Sequence, residues 1–214
     1  MAKKVRLTRP ELKRQRDALA RYERYLPMLK LKQQQLQMAV LGVERKRRLV
    51  VEAQEAVDRQ IAVYRPLLRD LAGLNIEELA RPVELKTSTT NIAGVRLPVF
   101  EEALFGPVRY SLFGTPPWVD RAIADLRQLN RHRAEAEILI EQERLLRREL
   151  TRIVQRVNLF EKLKIPTARE DIRIIRIHLG DQQTAGVGRA KIAKAKLSQA
   201  AADEALAGQA EGAA

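Results

Sequence analysis

The residues able to do chemistry are few in this sequence, and they do not converge. Its two histidines, His132 and His178, stand far apart with no set of ligands grouped around either, so both read as surface or seam histidines. Cysteine is absent, which removes disulfides and thiolate metal sites and fits a reducing compartment. The three serines lack the glycine-flanked setting of an activated nucleophile. Gly186-Val187-Gly188 precedes basic residues but has neither a preceding strand nor the Lys-Ser/Thr ending of a phosphate loop, and reads as a flexible joint. Glu101 and Glu102 are adjacent, so on a strand their carboxylates point to opposite faces and cannot grip one ion. No catalytic residue, cofactor or metal is expected, and the chain is not expected to be an enzyme.

What remains is charge. The net charge is +13, and it is unevenly spread. Residues 1–72 carry 18 basic and 8 acidic groups, residues 73–117 carry 4 and 5, and residues 118–214 carry 18 and 14. Basic flanks attract anionic partners, whether nucleic acid, lipid headgroups or acidic protein loops. The densest run, Arg45-Lys46-Arg47-Arg48, covers a full helical turn and so cannot form one face, and no aromatic interleaves with it to stack bases. It reads as a solvated helix surface.

These groups must be carried by long helices. Charged residues make up 31% of the chain and aromatics only 4%, a composition that suits a single apolar stripe buried against a partner helix better than a compact core. From Tyr22, every seventh residue is apolar: Leu29, Leu36, Val43, Val50, Val57, Tyr64 and Leu71. Three residues before each runs a second series, Leu19, Leu26, Gln33, Val40, Arg47, Gln54, Ile61 and Leu68. Spacing that alternates three and four is the seam of a coiled coil, weakened here at Gln33, Arg47 and Gln54. Thr8 and Glu11 form a capping box at the start, Pro27 should kink the rod, and Pro66 with Gly73 should end it. The first helix is thus placed in residues 1–72.

Residues 73–117 read as an irregular module. Val83–Asn91 and Val95–Phe100 are expected strands of a hairpin turning at Ala93-Gly94. Thr115, followed by two prolines, should cap the second helix, placed at 118–180. Its stripe runs through Trp118, Val119, Ile123, Leu126, Leu139, Leu146, Leu150, Ile153, Val157 and Phe160, interrupted at Arg133, Glu137 and Arg144. Pro166 should bend or break it, and Thr167 with Glu170 should restart it through Ile172, Ile175 and Leu179. Residues 181–214 are expected to be a basic segment and a disordered tail. No stretch is apolar enough to span a membrane, and the basic start leads into no signal-like apolar core.

Two such helices bury their stripes most simply by folding back on each other, with a parallel homodimer as the competing solution. The expected fold is mainly α, a long antiparallel two-helix coiled coil with a small β-hairpin module between the helices. Partners across the seam should have numbers summing to about 190, placing Tyr64 opposite Leu126, Val50 opposite Ile140, Val43 near Leu146 and Leu36 opposite Val154. The same folding gathers Lys13, Arg14 and Arg16 with Arg173 and Arg176 into a basic end, with Arg9 beside them. These six are the candidate partner contacts.

Leu7-Thr8-Arg9-Pro10-Glu11-Leu12 and Met28-Leu29-Lys30-Leu31-Lys32, together with Arg156-Val157-Asn158-Leu159-Phe160-Glu161, Ile165-Pro166 and Ile172-Arg173-Ile174-Ile175, resemble the D subunit of V-type, or archaeal-type, rotary ATPases. Gly114-Thr115-Pro116 is similar to that family's return into its second helix. The likeness covers roughly residues 5–72 and 115–197; it departs from the family at Gln33-Gln34-Gln35 and in the Gly- and Gln-rich run Gly180–Gly188. The resemblance implies a non-catalytic central rotor shaft, coupling ATP hydrolysis or synthesis to ion translocation. It implies as partners the catalytic A and B subunits of a hexamer, a small F-like stalk subunit and a socket subunit on the membrane ring. It implies a cytoplasmic place, peripheral on the inner face of the cell membrane, with no nucleic acid and no direct membrane insertion. The residues themselves leave two other readings open, a basic coiled-coil scaffold and a nucleic-acid-binding protein. Steep salt-dependent binding to duplex or single strands would mark the second.

Overall fold

The computed structural model describes the backbone of residues 5–66, 75–110 and 114–211, and side chains through residue 200. In chain order they form α1 (Arg9–Tyr64), a short α2 (Ile76–Leu79), strands β1 (Pro82–Ile92) and β2 (Val95–Phe105), α3 (Val119–Asn158), a π-helical stretch (Leu159–Lys164) and α4 (Ile165–Glu211). The expected architecture of long antiparallel helices with a β-hairpin between them is the observed one. Contacts group the chain into two units, residues 28–156 and residues 1–27 with 157–214.

In the unit of residues 28–156, α1 and α3 run antiparallel. Cross-helix pairs fix the direction, because one number rises as the other falls: Tyr64 with Asp125, Arg47 with Glu143, Glu44 with Arg147 and Lys32 with Glu149. The seam is the one the heptads predict. Leu36, Val40, Val43, Val57 and Ile61 of α1 are buried, as are Leu129, Leu139, Leu146 and Ile153 of α3. Each fully buried Leu or Ile contributes roughly 2 kcal/mol by leaving water. The polar seam positions are not loose. Arg47 is half-buried and donates Nε–H to Glu143 at 3.1 Å, and Glu143 also accepts from Arg147 at 2.8 Å. Arg147 in turn binds Glu44 back on α1, so four charges cross the seam as one chain.

The pairing expected of Val50 with Ile140 is not realised, since Ile140 is 53% exposed. Neighbouring Leu139 takes the seam position instead. Equal sums fix the level along two helices but not the direction in which a side chain points.

The hairpin forms where alternation predicts it and is longer, with Pro82 opposite Phe105 and Ile92 opposite Val95. Ala93 (φ 50°) and Gly94 (φ 82°) make its two-residue turn. Positive φ at both positions is the geometry that continues the right-handed strand twist, and it explains the glycine. Extra residues at Val83 in β1 and Glu101 in β2 shift the register along the ladder. A two-stranded sheet needs support, and α3 supplies it. Leu97 is fully buried, Gln142 donates to the Pro98 carbonyl, and Arg127 donates to the carbonyls of Leu79 (3.1 Å) and Gly106 (2.6 Å). The Arg127 guanidinium also lies 5.2 Å over the Phe105 ring. Ile76, Val119, Ala122 and Ile123 form a further core against which Tyr64, Trp118 and Leu126 pack.

The second helix starts one turn later than the Thr115 cap predicts. Val119 donates to the Pro116 carbonyl and Ala122 to the Trp118 carbonyl, so the prolines sit in a lead-in turn. Leu68, Leu71 and Gly73, expected to finish the first helix, lie outside the described residues.

In the unit of residues 1–27 with 157–214, the start of α1 pairs antiparallel with α4. Glu23 meets Arg169 at 2.8 Å, and the Tyr22 and Phe160 rings lie 5.3 Å apart. Thr8 accepts the first helical bond from Leu12 N–H, as a cap residue should. The helix runs on through Pro27. Pro166 does not break the return helix. Proline lacks an N–H, and its ring would crowd the carbonyl of Lys162 in regular α winding. The chain widens into π winding just before it, with Ile165 N–H reaching back five residues to the Phe160 carbonyl. No restart is therefore needed, and Glu170 accepts from Arg173 at 2.7 and 2.9 Å instead of capping a helix. Ala168, Ile172 and Ile175 are buried. Beyond Gly180, α4 continues as helix to Glu211, through the glycines read as a joint and into the stretch expected to be disordered. Its side chains from Asp181 to Ala200 are almost all exposed.

Candidate functional site

Among the described residues, no three His, Cys, Asp or Glu side chains are grouped to hold a metal. His132 is half-buried, its Nδ1 without a hydrogen bond and 3.9 Å from a Glu135 oxygen. The His178 ring nitrogen Nε2 lies 3.1 Å from the Gln182 amide. Glu102 faces Lys86 at 3.7 Å.

The surfaces left are those able to meet partners. The six basic residues singled out by charge all lie in the unit of residues 1–27 with 157–214, and all are exposed. Arg9 opens α1, and Lys13 follows one turn on. Arg14 leans to Glu11 at 3.6 Å, and Arg173 is held by Glu170. Arg16 and Arg176 are brought to one place. They flank a hollow of about 330 Å³ that Leu19, Ala20, Glu23, Arg169 and Ile172 complete. One acid, Glu23, lines it, and sequence reasoning missed a second acid in the same unit, Asp171. Glu23 and Arg169 were legible as a pair, because their numbers obey the same rule of opposition as the seam. Asp171 was not. Burial first, then the Glu11 and Glu170 charges, raises its carboxyl above the usual range. The end of this unit is thus basic with acids set among the arginines.

A second surface lies on the solvent side of α1 in the unit of residues 28–156. Met28, Leu31, Met38, Leu41 and Leu49 follow helical spacing off the seam and are each 47–70% exposed. A row of exposed apolar side chains is a candidate contact surface.

At the junction of the helices and the module, Tyr64 donates to Asp125 at 2.8 Å and Arg121 donates to the same oxygen at 3.2 Å. Burial, then the bond to Asp125, holds the phenol protonated far above its ordinary range. No described helix is long and apolar enough to cross a membrane.

This geometry, helices paired through buried seams with no metal-type cluster among the described residues, agrees with the chain's likeness to known proteins. Residues 11–195 match the family described as the D subunit of ATP synthase. A protein of Borreliella burgdorferi, named as the D subunit of a V-type ATP synthase, is 40% identical over 191 residues, covering 89% of this chain and 94% of that protein. Proteins of the same name from Chlamydia caviae and Chlamydia trachomatis serovar L2 are 32% and 33% identical, each over 91% of this chain and 94% and 96% of their own lengths. By both the family match and the shared length of these relatives, the chain belongs to the family of ATP synthase D subunits.

Proposed function

We propose that this chain is the central rotor shaft of a V-type ATP synthase, coupling ATP hydrolysis or synthesis in a catalytic hexamer to ion movement across a membrane. The observation that carries the reading is the interlocked helix pair in a member of this family. A shaft must transmit torque without fraying, and two helices joined by a buried seam and a chain of cross-helix ion pairs resist separation better than either alone. The charges at Arg47, Glu143, Arg147 and Glu44 occupy the place where the heptads are weakest, so polar seam residues brace the pair there.

In this reading the chain is a non-catalytic subunit. Its partners are the A and B subunits of the hexamer, an F-like stalk subunit and a socket subunit on the membrane ring. It sits at the cytoplasmic, inner face of the membrane as part of that peripheral assembly. The exposed apolar row on α1 supports a life among partners, since a solitary chain gains nothing from keeping Met38 and Leu49 in water. The basic residues Arg9, Lys13, Arg14, Arg16, Arg173 and Arg176 are assigned to the hexamer. Charge attraction acts over distance and tolerates changing geometry, which suits a surface that must turn past its neighbours.

Two experiments test the reading. A tagged chain should co-purify with the A and B subunits. With no native cysteine to interfere, Lys13→Cys joined by a disulfide to the surrounding hexamer should halt sustained ATP turnover, and reductant should restore it. Sustained turnover in the fully bridged complex would refute rotation of this end.

A further inference from the structure

We propose that the hollow between Arg16 and Arg176 is a docking site for a short protein segment that places one carboxylate beside an apolar side chain. Its floor is apolar, with Ile172 buried and Leu19 half-buried beside Ala20. Its rim is basic, but the three arginines are not equivalent. Arg169 is neutralised by Glu23 at 2.8 Å, whereas Arg16 and Arg176 have no acidic partner among the described residues. The volume of about 330 Å³ is that of roughly ten water molecules, enough for an aliphatic side chain with an acidic neighbour. A guanidinium on either side offers forked donors to a carboxylate placed over the floor. A long polyanion fits less well. Glu23 lies in the hollow itself, and no aromatic side chain lines the site to stack a base. An isolated acid on an apolar segment meets the two free arginines and avoids that carboxylate. The proposal deepens the shaft reading only in naming who brings the segment, a subunit surrounding this end; the chemistry of the hollow stands apart from it.

The test uses the full chain and dye-labelled peptides with a single glutamate set among leucines in an otherwise neutral segment, with glutamine and lysine in place of that glutamate as controls, followed by fluorescence anisotropy. The glutamate peptide should bind saturably, and the controls should not. Arg16→Glu/Arg176→Glu should weaken binding at least about tenfold, the scale expected for losing charged hydrogen bonds to one carboxylate. Arg45→Glu/Arg48→Glu makes the same change in net charge elsewhere and should cost no more than about threefold. Arg16→Gln/Arg176→Gln repeats the test without reversing charge, and should follow the Glu variant if that one melts early. Equal losses in the two Glu variants would overturn the proposal, because the attraction would then be general. Equal binding of the glutamine peptide would overturn it too. Co-purification with A and B subunits alongside a failed peptide test sinks only the hollow. Loss of co-purification with peptide binding intact sinks only the shaft.

Discussion

Tyr64 ties α1 to α3 twice, and its removal has a calculable cost. Its ring packs against the core of Ile76, Val119, Ala122 and Ile123 and against that of Val57, Ile61 and Leu129. Its hydroxyl donates to Asp125 at 2.8 Å, and Asp125 is only 7% exposed. Tyr64→Phe keeps the ring and deletes the bond. A hydrogen bond to a charged group is worth about 1.5–3 kcal/mol. Because Arg121 still donates to the same carboxylate oxygen, the lower part of that range applies, and about 1.5 kcal/mol is expected. A double-mutant cycle of Tyr64→Phe with Asp125→Ala, read by denaturant unfolding of the full chain, should return a coupling of similar size. The pH dependence gives an independent check. The folded-state pKa of the phenol is raised, so its contribution is fully present below the unfolded value of about 10 and is lost as pH rises beyond that. The stability gap between the native chain and Tyr64→Phe should therefore narrow above about pH 10. By ultraviolet titration, Tyr64 should ionise above the ordinary range of a phenol. A coupling under about 0.5 kcal/mol, or a Tyr64 phenol that ionises near its ordinary value of about 10, would refute this account.

Leu146→Ala, at a fully buried seam position, should cost about 2–5 kcal/mol in unfolding experiments, while Arg48→Ala on the solvent side should stay within about 0.5 kcal/mol. Val43→Cys/Leu146→Cys should form an intrachain disulfide on oxidation, since the pairs Lys32–Glu149 and Arg47–Glu143 bracket that level; a bridge found only between two copies would show a parallel dimer. Asp171→Asn should raise the melting temperature at neutral pH. The raised pKa of Asp171 means that its protonated form stabilises the fold below about pH 4, the unfolded value, and that this is lost as pH rises, so the advantage of Asn should vanish in acid. A melting curve at pH 7 unchanged by Asp171→Asn would contradict the burial assigned to that carboxyl.

Local pattern was enough for everything that repeats. The heptads of α1 placed Leu36, Val40, Val43, Val57 and Ile61 on the buried stripe, because helical spacing alone decides which residues share a face. Ala93-Gly94 between alternating runs placed the hairpin turn, because few residues accept positive φ. The level of pairing between the long helices followed from their lengths, and Arg47 with Glu143 and Glu23 with Arg169 obey it. Azimuth did not follow from that level. The sum of residue numbers put Ile140 opposite Val50, whereas the heptad stripe names Leu139, and it is Leu139 that is buried and Ile140 that is exposed. Long-range polar bonds were equally out of reach. Nothing local tells Gln142 to hold the Pro98 carbonyl, Arg127 to clamp Leu79 and Gly106, or Tyr64 to find Asp125. Proline carried a local rule that the tertiary structure overrode, since π winding next to Pro166 let the helix continue with its buried residues Ala168, Ile172 and Ile175 in place. The basic end was legible as charge, and its pairs Glu23–Arg169 and Glu170–Arg173 by opposition and by helical spacing, but the hollow between the helices was not. Arg173 and Arg169 are spent on Glu170 and Glu23, and only the packing of α4 beside α1 leaves Arg16 and Arg176 facing one hollow, because an ion pair depends on distance in space and sequence records it only along the chain.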